Sequence, residues 1–344
     1  MFKEAVCFDD VLLVPQRSDI NSRDEICLET SLGKRSFRLP IISSPMDTVT
    51  ESLMTKSMFA HGGLGIIHRY NSTQEQCKIV RDVASLFEET GNANINHIAA
   101  AIGTSSDFMN RANSIYACGA RIFCIDVAHG HHVLVERAIK SLRDRFGFEI
   151  TIIAGNVATA DAFKDLSEWG ANAVRIGIGG GSICSTRIQT GHGVPTLQSV
   201  LDCRDAADAA IIADGGIKSA GDIVKSLAAG ADMVMLGSML AGTKESPGET
   251  FQSGDNKRYK VYRGMASPEA QIAWRGKARS LEGISTTVPY KGEVGGILSK
   301  LERNIKSGLS YSGARNLQEF RSKAIFIKQT PSGLSESRTH ILNR

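Results

Sequence analysis

No apolar run in this chain approaches the roughly 18–20 residues that cross a bilayer, so a transmembrane helix is excluded. Charge of one sign is also missing. Forty basic against 36 acidic residues leave a net charge of +4, too small and too dispersed to argue for nucleic acid. The seven cysteines are odd in number and show no metal-type CxxC spacing, which excludes a disulfide framework and points to a reducing, cytoplasmic setting. The start, MFKEAVCFDD, meets acidic residues before an apolar core could form and does not read as a signal peptide. Aromatic residues make up only 6%, in a composition (42% hydrophobic, 22% charged) that is ordinary for a globular enzyme. Proline is scarce, 8 residues against 34 glycines. Glycine in such number at strand ends means tight turns or backbone that approaches a ligand closely.

What the chain does have is a repeating pattern. Short apolar runs recur at Pro40–Met46, Gly63–His68, His97–Gly103, Arg121–Ala128, Glu149–Asn156, Ala173–Ile178, Ala209–Gly216 and Met233–Leu240. They lack strict alternation, as expected of parallel strands buried on both faces, and eight is the number a closed (β/α)8 TIM barrel needs. Helical spacing fills the intervals. Ser72-Thr73-Gln74-Glu75 is a capping box followed by Ile79, Val83 and Leu86; Phe163 and Leu166 point inward before Gly170, and Ile223, Val224 and Leu227 before Gly230. A Gly-Ala pair separates helix from strand three times, at Gly119-Ala120, Gly170-Ala171 and Gly230-Ala231. The rival fold, a doubly wound open sheet, lacks its sign: no GxGxxG follows the first strand. The expectation is therefore an α/β chain whose residues 1–344 form one barrel domain. Residues 241–290, polar and Gly-rich, read as an excursion with a mobile flap after strand eight; 291–324 return to helical spacing through Ile297, Leu298, Leu301 and Ile305. The last twenty residues read as a mobile or partner-contacting tail.

A barrel carries its site at the C-terminal ends of its strands. Those ends hold Ser44-Pro45-Met46-Asp47, Asp126, Gly155-Asn156, Gly179-Gly180-Gly181-Ser182, Asp214-Gly215-Gly216 and Gly237-Ser238. Each alone could be turn chemistry; together on one rim they make a site. The loops after strands seven and eight are the usual phosphate cradle of barrels. Asp214 would repel a phosphate and is better suited to accept from ribose hydroxyls, which points to a nucleotide. Cys184 differs from the other cysteines in lying on a Gly-rich loop. Read from the residues alone, it is as readily a plain loop cysteine as a nucleophile, since thiolate chemistry needs a lowered pKa or a nearby base. By the same reading His131, His132 and His192 are solvated loop residues, Trp169 and Trp274 are packing or surface anchors, and no catalytic metal is expected.

Six motifs then occur in order: Phe8-Asp9-Asp10-Val11-Leu12-Leu13, Ser44-Pro45-Met46-Asp47-Thr48-Val49, Ala154-Gly155-Asn156-Val157, Gly181-Ser182-Ile183-Cys184, Ala213-Asp214-Gly215-Gly216-Ile217 and Tyr262-Arg263-Gly264-Met265. Through them the chain resembles the IMP dehydrogenase/GMP reductase family along almost its whole length. The resemblance implies that Cys184 attacks C2 of a purine mononucleotide, GMP or IMP. It assigns nucleotide binding to Ser182, Asp214, Gly216, Gly237, Ser238, Tyr262, Gly264 and Met265, the nicotinamide side to Asp126 and Asn156, and proton handling to Thr186 and Glu282. It further implies a homotetramer, and a K+ ion held by Gly179, Gly181 and Cys184. For direction, three features favour reduction of GMP with NADPH. Residues 69–96 leave no room for the CBS modules that dehydrogenases usually carry. The flap between Met265 and Glu282 has Arg275 and Arg279 but no tyrosine, so the water-activating Arg-Tyr pair is missing. Cys124-Ile125-Asp126-Val127-Ala128-His129-Gly130 is similar to the reductase strand-four motif. Two features favour oxidation of IMP with NAD: the Glu336-Ser337-Arg338 end, and Gly180 where reductases carry proline. A non-catalytic nucleotide-binding barrel is the reading of another class.

Overall fold

The computed structural model describes residues 3–89, 96–105, 107–254, 256–278, 282–337 and 339. Eight parallel strands close into a barrel: β1 (Ile41–Ser43), β2 (Leu64–Ile67), β3 (Ala99–Ile102), β4 (Ile122–Asp126), β5 (Thr151–Val157), β6 (Ala173–Ile176), β7 (Ala210–Asp214) and β8 (Met233–Leu236). The ring is sealed by pairing of β8 with β1, Val234 opposite Ile41 and Leu236 opposite Ser43. Each strand arises from one of the eight apolar runs. Parallel strands with helices outside and side chains inside bury both faces, so alternation has no reason to appear. Ile42, Leu64, Ile66, Ala99, Ala101, Ile122, Cys124 and Ile153 fill the interior. At its N-terminal end the hairpin of strands Thr30–Leu32 and Arg35–Phe37 closes the ring. There Arg35 donates to the Asn96 and Glu149 carbonyls and to the Thr151 hydroxyl, pinning the plug to the starts of β3 and β5 at once.

The three Gly-Ala pairs are one device used three times. In each, glycine takes a positive φ (+115° at Gly119, +114° at Gly170, +124° at Gly230) that a side chain would resist. The following alanine N–H then reaches back to a helical carbonyl, 3.0 Å in every case: Ala120 to Ile115, Ala171 to Leu166, Ala231 to Ser226. This is the six-to-one bond of a Schellman turn. The next N–H of each triplet, on Arg121, Asn172 and Asp232, bonds to the carbonyl of Ile98, Ile152 or Ile211, which sets the register of the incoming strand.

Helix starts are equally local. Ser72 and Glu75 exchange the expected capping bonds before the helix Thr73–Glu89. The stripe it buries runs through Cys77, Val80, Val83 and Ala84, with Ile79 and Leu86 only half-buried, so the inward face is rotated from the expected one. Phe163, Leu166, Ile223 and Leu227 are fully buried as expected. Ser219 and Asp222 cap the helix Ala220–Ala229 reciprocally. Replacing Ser219 by alanine should cost about 1 kcal/mol, read as a lowered denaturation midpoint; an unmoved midpoint would mean Asp222 alone holds this helix start.

After β8 the chain leaves the barrel, as expected for 241–290. It forms a sheet of Phe251–Gln252, Arg258–Arg263 and Ser285–Pro289, with the helix Pro268–Arg275 between its second and third strands. Helices Val294–Tyr311 and Leu317–Lys323 return along the barrel. One expectation needs correction. Within the last twenty residues, Phe326–Lys328 pairs antiparallel with Val11–Leu13 and Pro331–Glu336 is helical. Backbone pairing anchors this polar segment where side-chain composition gave no hint. Arg338 and residues 340–344 lie outside the described residues. Among the described residues no helix is long and apolar enough to cross a membrane.

Candidate active site

At the C-terminal end of the barrel lies a cavity of about 290 Å³. Every site residue expected from the sequence lines it: Asp126 and Asn156 from β4 and β5, Gly179, Gly181, Ser182, Cys184 and Thr186 after β6, Asp214 and Gly216 after β7, Gly237 and Ser238 after β8, and Tyr262, Gly264, Met265 and Glu282 from the excursion.

Cys184 is half-buried and its thiol faces the Thr186 hydroxyl at 3.2 Å, which in turn donates to Glu282 Oε2 at 2.9 Å. A carboxylate behind a hydroxyl can pass protons that the hydroxyl alone, a poor base, could not. Backbone pairing fixes this chain. Ser185 N–H donates to the Glu282 carbonyl (3.0 Å), Ile284 N–H to the Ile183 carbonyl (3.1 Å), and Cys184 is bridged to Gly283. The segment carrying Glu282 is thus laid against the cysteine loop by an antiparallel bridge just before the strand Ser285–Pro289.

One side of the cavity is built around Tyr262 and Asp214. Burial pushes the Tyr262 phenol up to about 12, so it stays a protonated donor beside Ser182. Its hydroxyl lies 2.9 Å from where a side chain at Gly237 would begin, so any larger residue there would have to displace the Tyr262 hydroxyl. Gly177, after β6, is tighter still: a Cβ would sit 1.9 Å from the Asp214 carbonyl oxygen. Its φ of +146° brings the cysteine loop and the β7 end into contact. Arg263 binds Asp47 through Nε at 3.0 Å, holding the excursion strand over β1.

Deeper in, Arg175 on β6 is 7% exposed and lies between two carboxylates, Asp126 Oδ1 at 2.6 Å and Asp214 Oδ2 at 2.8 Å. Burial opposes its charge, but Asp214 and Asp126 more than offset that and hold the guanidinium firmly protonated. Burial would likewise raise Asp126; Arg175 and then Arg69 outweigh it and keep the carboxyl below its usual range. Asn156 Nδ2 also donates to Asp214 Oδ2, at 2.7 Å. Sequence reasoning missed Arg175, although a lone arginine in the buried run Ala173-Val174-Arg175-Ile176 was a signal, because a buried charge needs partners. It named Ser44 on the rim without giving it a role, although its buried hydroxyl has no protein partner, and it passed over Arg69 and Tyr70, which line the cavity beside Trp274. Tyr70 and Trp274 rings stand 4.9 Å apart with the Arg69 guanidinium near both.

His132 caps the helix Val133–Phe146 by accepting from Leu134 N–H, and His131 pairs with Asp165 at 2.8 Å; neither lines the cavity. The loop proposed for K+ offers backbone carbonyls only. That of Gly181 already accepts from Cys184 N–H at 3.1 Å, and the Arg187 side chain packs across Gly179. Among the described residues, no three His, Cys, Asp or Glu residues stand together as metal ligands.

The IMP dehydrogenase / GMP reductase domain matches residues 5–340. Relatives carry both names. An inosine-5′-monophosphate dehydrogenase of Cryptosporidium parvum is 37% identical over 98% of this chain and 95% of its own, and one of Nitrosopumilus maritimus is 33% identical over 98% of each. A GMP reductase of Leishmania major is 31% identical over 99% of this chain and 98% of its own. Among solved structures, a GMP reductase variant from Trypanosoma brucei in complex with guanosine 5′-monophosphate superposes with a TM-score of 0.91, at 29% identity and 98% coverage of both chains. Enzymes of this kind act on purine mononucleotides with nicotinamide dinucleotides. A closed eightfold barrel, a cysteine backed by a hydroxyl and a carboxylate, and a match across nearly its full length lead to one conclusion: the chain belongs to the IMP dehydrogenase/GMP reductase family.

Proposed function

We propose that this chain is a GMP reductase, converting GMP to IMP and ammonia at the expense of NADPH. The observation that carries the reading is what stands over Cys184. The segment from Met265 to Glu282 has no tyrosine, and its Arg275 stacks on Trp274 at 4.1 Å, so no Arg-Tyr pair is in place to activate a hydrolytic water. Arg279, its other arginine, lies outside the described residues. What does reach the thiol is the Thr186–Glu282 relay, suited to protonating a leaving amine.

In this reading the Cys184 thiolate adds to C2 of the guanine ring and N3 takes up a proton. The C2–N bond then breaks, and the amine departs as ammonia with a proton passed from Glu282 through Thr186. A hydride at C2 and cleavage of the C–S bond, with N3 giving back the proton it took up, return the thiolate and release IMP. Asp214 receives ribose hydroxyls, Tyr262, Ser182, Ser238 and the Gly216 and Gly237 backbone receive the phosphate, and Gly264 and Met265 close over the base. The nicotinamide dinucleotide supplies that hydride. Its donor set fits the far side of the cavity, where Asn156 keeps Oδ1 for a carboxamide and Asp126 lies next to Arg69, Tyr70 and Trp274.

The second reading is an IMP dehydrogenase. It is favoured by Gly180, where a Cβ would stand 2.6 Å from the Thr196 hydroxyl, so the proline of reductases has no room. Absorbance at 340 nm separates the two. GMP with NADPH should lose absorbance while IMP with NAD gains none; the opposite result establishes the dehydrogenase. Silence in both, with nucleotide still bound, would indicate a non-catalytic barrel.

A further inference from the structure

We infer that Arg175 is a positioning residue that makes the nucleotide and cofactor halves of the cavity one coupled binding unit. The inference rests on the placement of ribose at Asp214 and nicotinamide at Asp126 proposed above. Its observation is a single guanidinium serving carboxylates from two different strands, β4 and β7, on opposite sides of its own. Nη1 bonds Asp126 Oδ1 at 2.6 Å; Nη2 and Nε bond Asp214 Oδ2 at 2.8 and 3.1 Å.

The arm that carries this fork has no slack. At Gly155 on β5, a Cβ would stand 2.6 Å from Arg175 Cβ, so the neighbouring strand presses directly on its root. Cys124 Sγ lies 3.7 Å from Nη1, closing the space above. With Arg175 and Asn156 both on Asp214 Oδ2, Oδ1 is the acceptor that remains for a ribose hydroxyl. Asp126 is held equally: Arg175 takes Oδ1, while Arg69 reaches Oδ2 at 3.5 Å and the backbone carbonyl at 2.9 Å. A carboxylate that turns to meet a ligand must therefore move the shared fork, and the fork moves the other carboxylate. A planar guanidinium transmits this because its donors are rigidly related; an ammonium carries the same charge as a point.

The test separates charge from geometry. With Cys184→Ala as background, so that no chemistry intervenes, calorimetry gives the affinity of IMP with and without saturating NADP+, and the reverse. With Arg175 in place, each ligand should tighten the other about five-fold or more, the same factor in both directions. Arg175→Lys should leave each ligand bound alone within about five-fold, yet reduce the mutual tightening below about two-fold. A strut with no part in coupling would lower the unfolding temperature in that variant and leave the ratio untouched, which overturns the inference. So does an absence of tightening with Arg175 present while both ligands bind. Should Arg175→Lys fail to fold, Asp126→Ala removes the fork's acceptor on the cofactor side and must abolish the tightening likewise; its persistence there refutes the coupling. If IMP does not bind even with Arg175 intact, the functional reading itself falls, and this inference with it.

Discussion

Cys184→Ala should abolish turnover of GMP, by on the order of 10⁴-fold or more in kcat, with nucleotide affinity kept within a few-fold. The thiol is the only group at that position able to form a bond to C2, and Thr186 and Glu282 have no proton-transfer task without the adduct. Alanine leaves the loop intact, because the turn is held by backbone bonds: Cys184 N–H to the Gly181 carbonyl, and the pairing of Ile183 and Ser185 with Ile284 and Glu282. Calorimetry with GMP checks that half of the expectation, and NADPH consumption the other. Residual turnover within ten-fold of the parent would remove covalent catalysis from the mechanism.

Glu282→Gln should lower kcat with GMP by about 10²–10³-fold and leave KM near its parent value, within the range typical of a lost general acid. Glutamine keeps an oxygen to accept from the Thr186 hydroxyl, so the 2.9 Å contact survives, but it has no proton to relay to the departing amine. Steady-state kinetics give the split. An increase in KM with kcat retained would mean that Glu282 only shapes the pocket. Measured beside Cys184→Ala, the pair also shows whether the relay acts through the adduct: once the thiol is gone, adding Glu282→Gln should change nothing further.

The barrel was legible because its signals are local. Eight apolar runs, capping pairs such as Ser72 with Glu75, and the Gly-Ala breaks each follow from a few adjacent residues. Rim residues such as Asp126, Asn156, Asp214 and Gly237 were legible for a related reason: once the strands are placed, their C-terminal ends face one cavity. What stayed hidden depends on distance. No spacing connects Arg175 to Asp126 and Asp214, 49 and 39 positions away, or Tyr70 to Trp274. The relay from Cys184 to Glu282 came from the family resemblance rather than from the residues, since the 96 positions separating Thr186 from Glu282 conceal their contact. The terminal segment misled for a simpler reason: antiparallel pairing of Phe326–Lys328 with Val11–Leu13 uses backbone groups that every residue has.

The bridged segment that presents Glu282 also bears on how such an enzyme can change its chemistry over evolutionary time. Backbone bonds fix the chain on either side of residues 265–281, Gly264 to Ile284 and Ser185 to Glu282. The thiol and its carboxylate are therefore positioned by bonds that do not depend on the side chains between Met265 and Glu282. On the proposed reading, the fate of the Cys184 adduct, hydrolysis or reduction, would be set chiefly by side chains on this connecting segment, while the posts that hold thiol and carboxylate stay common to both chemistries.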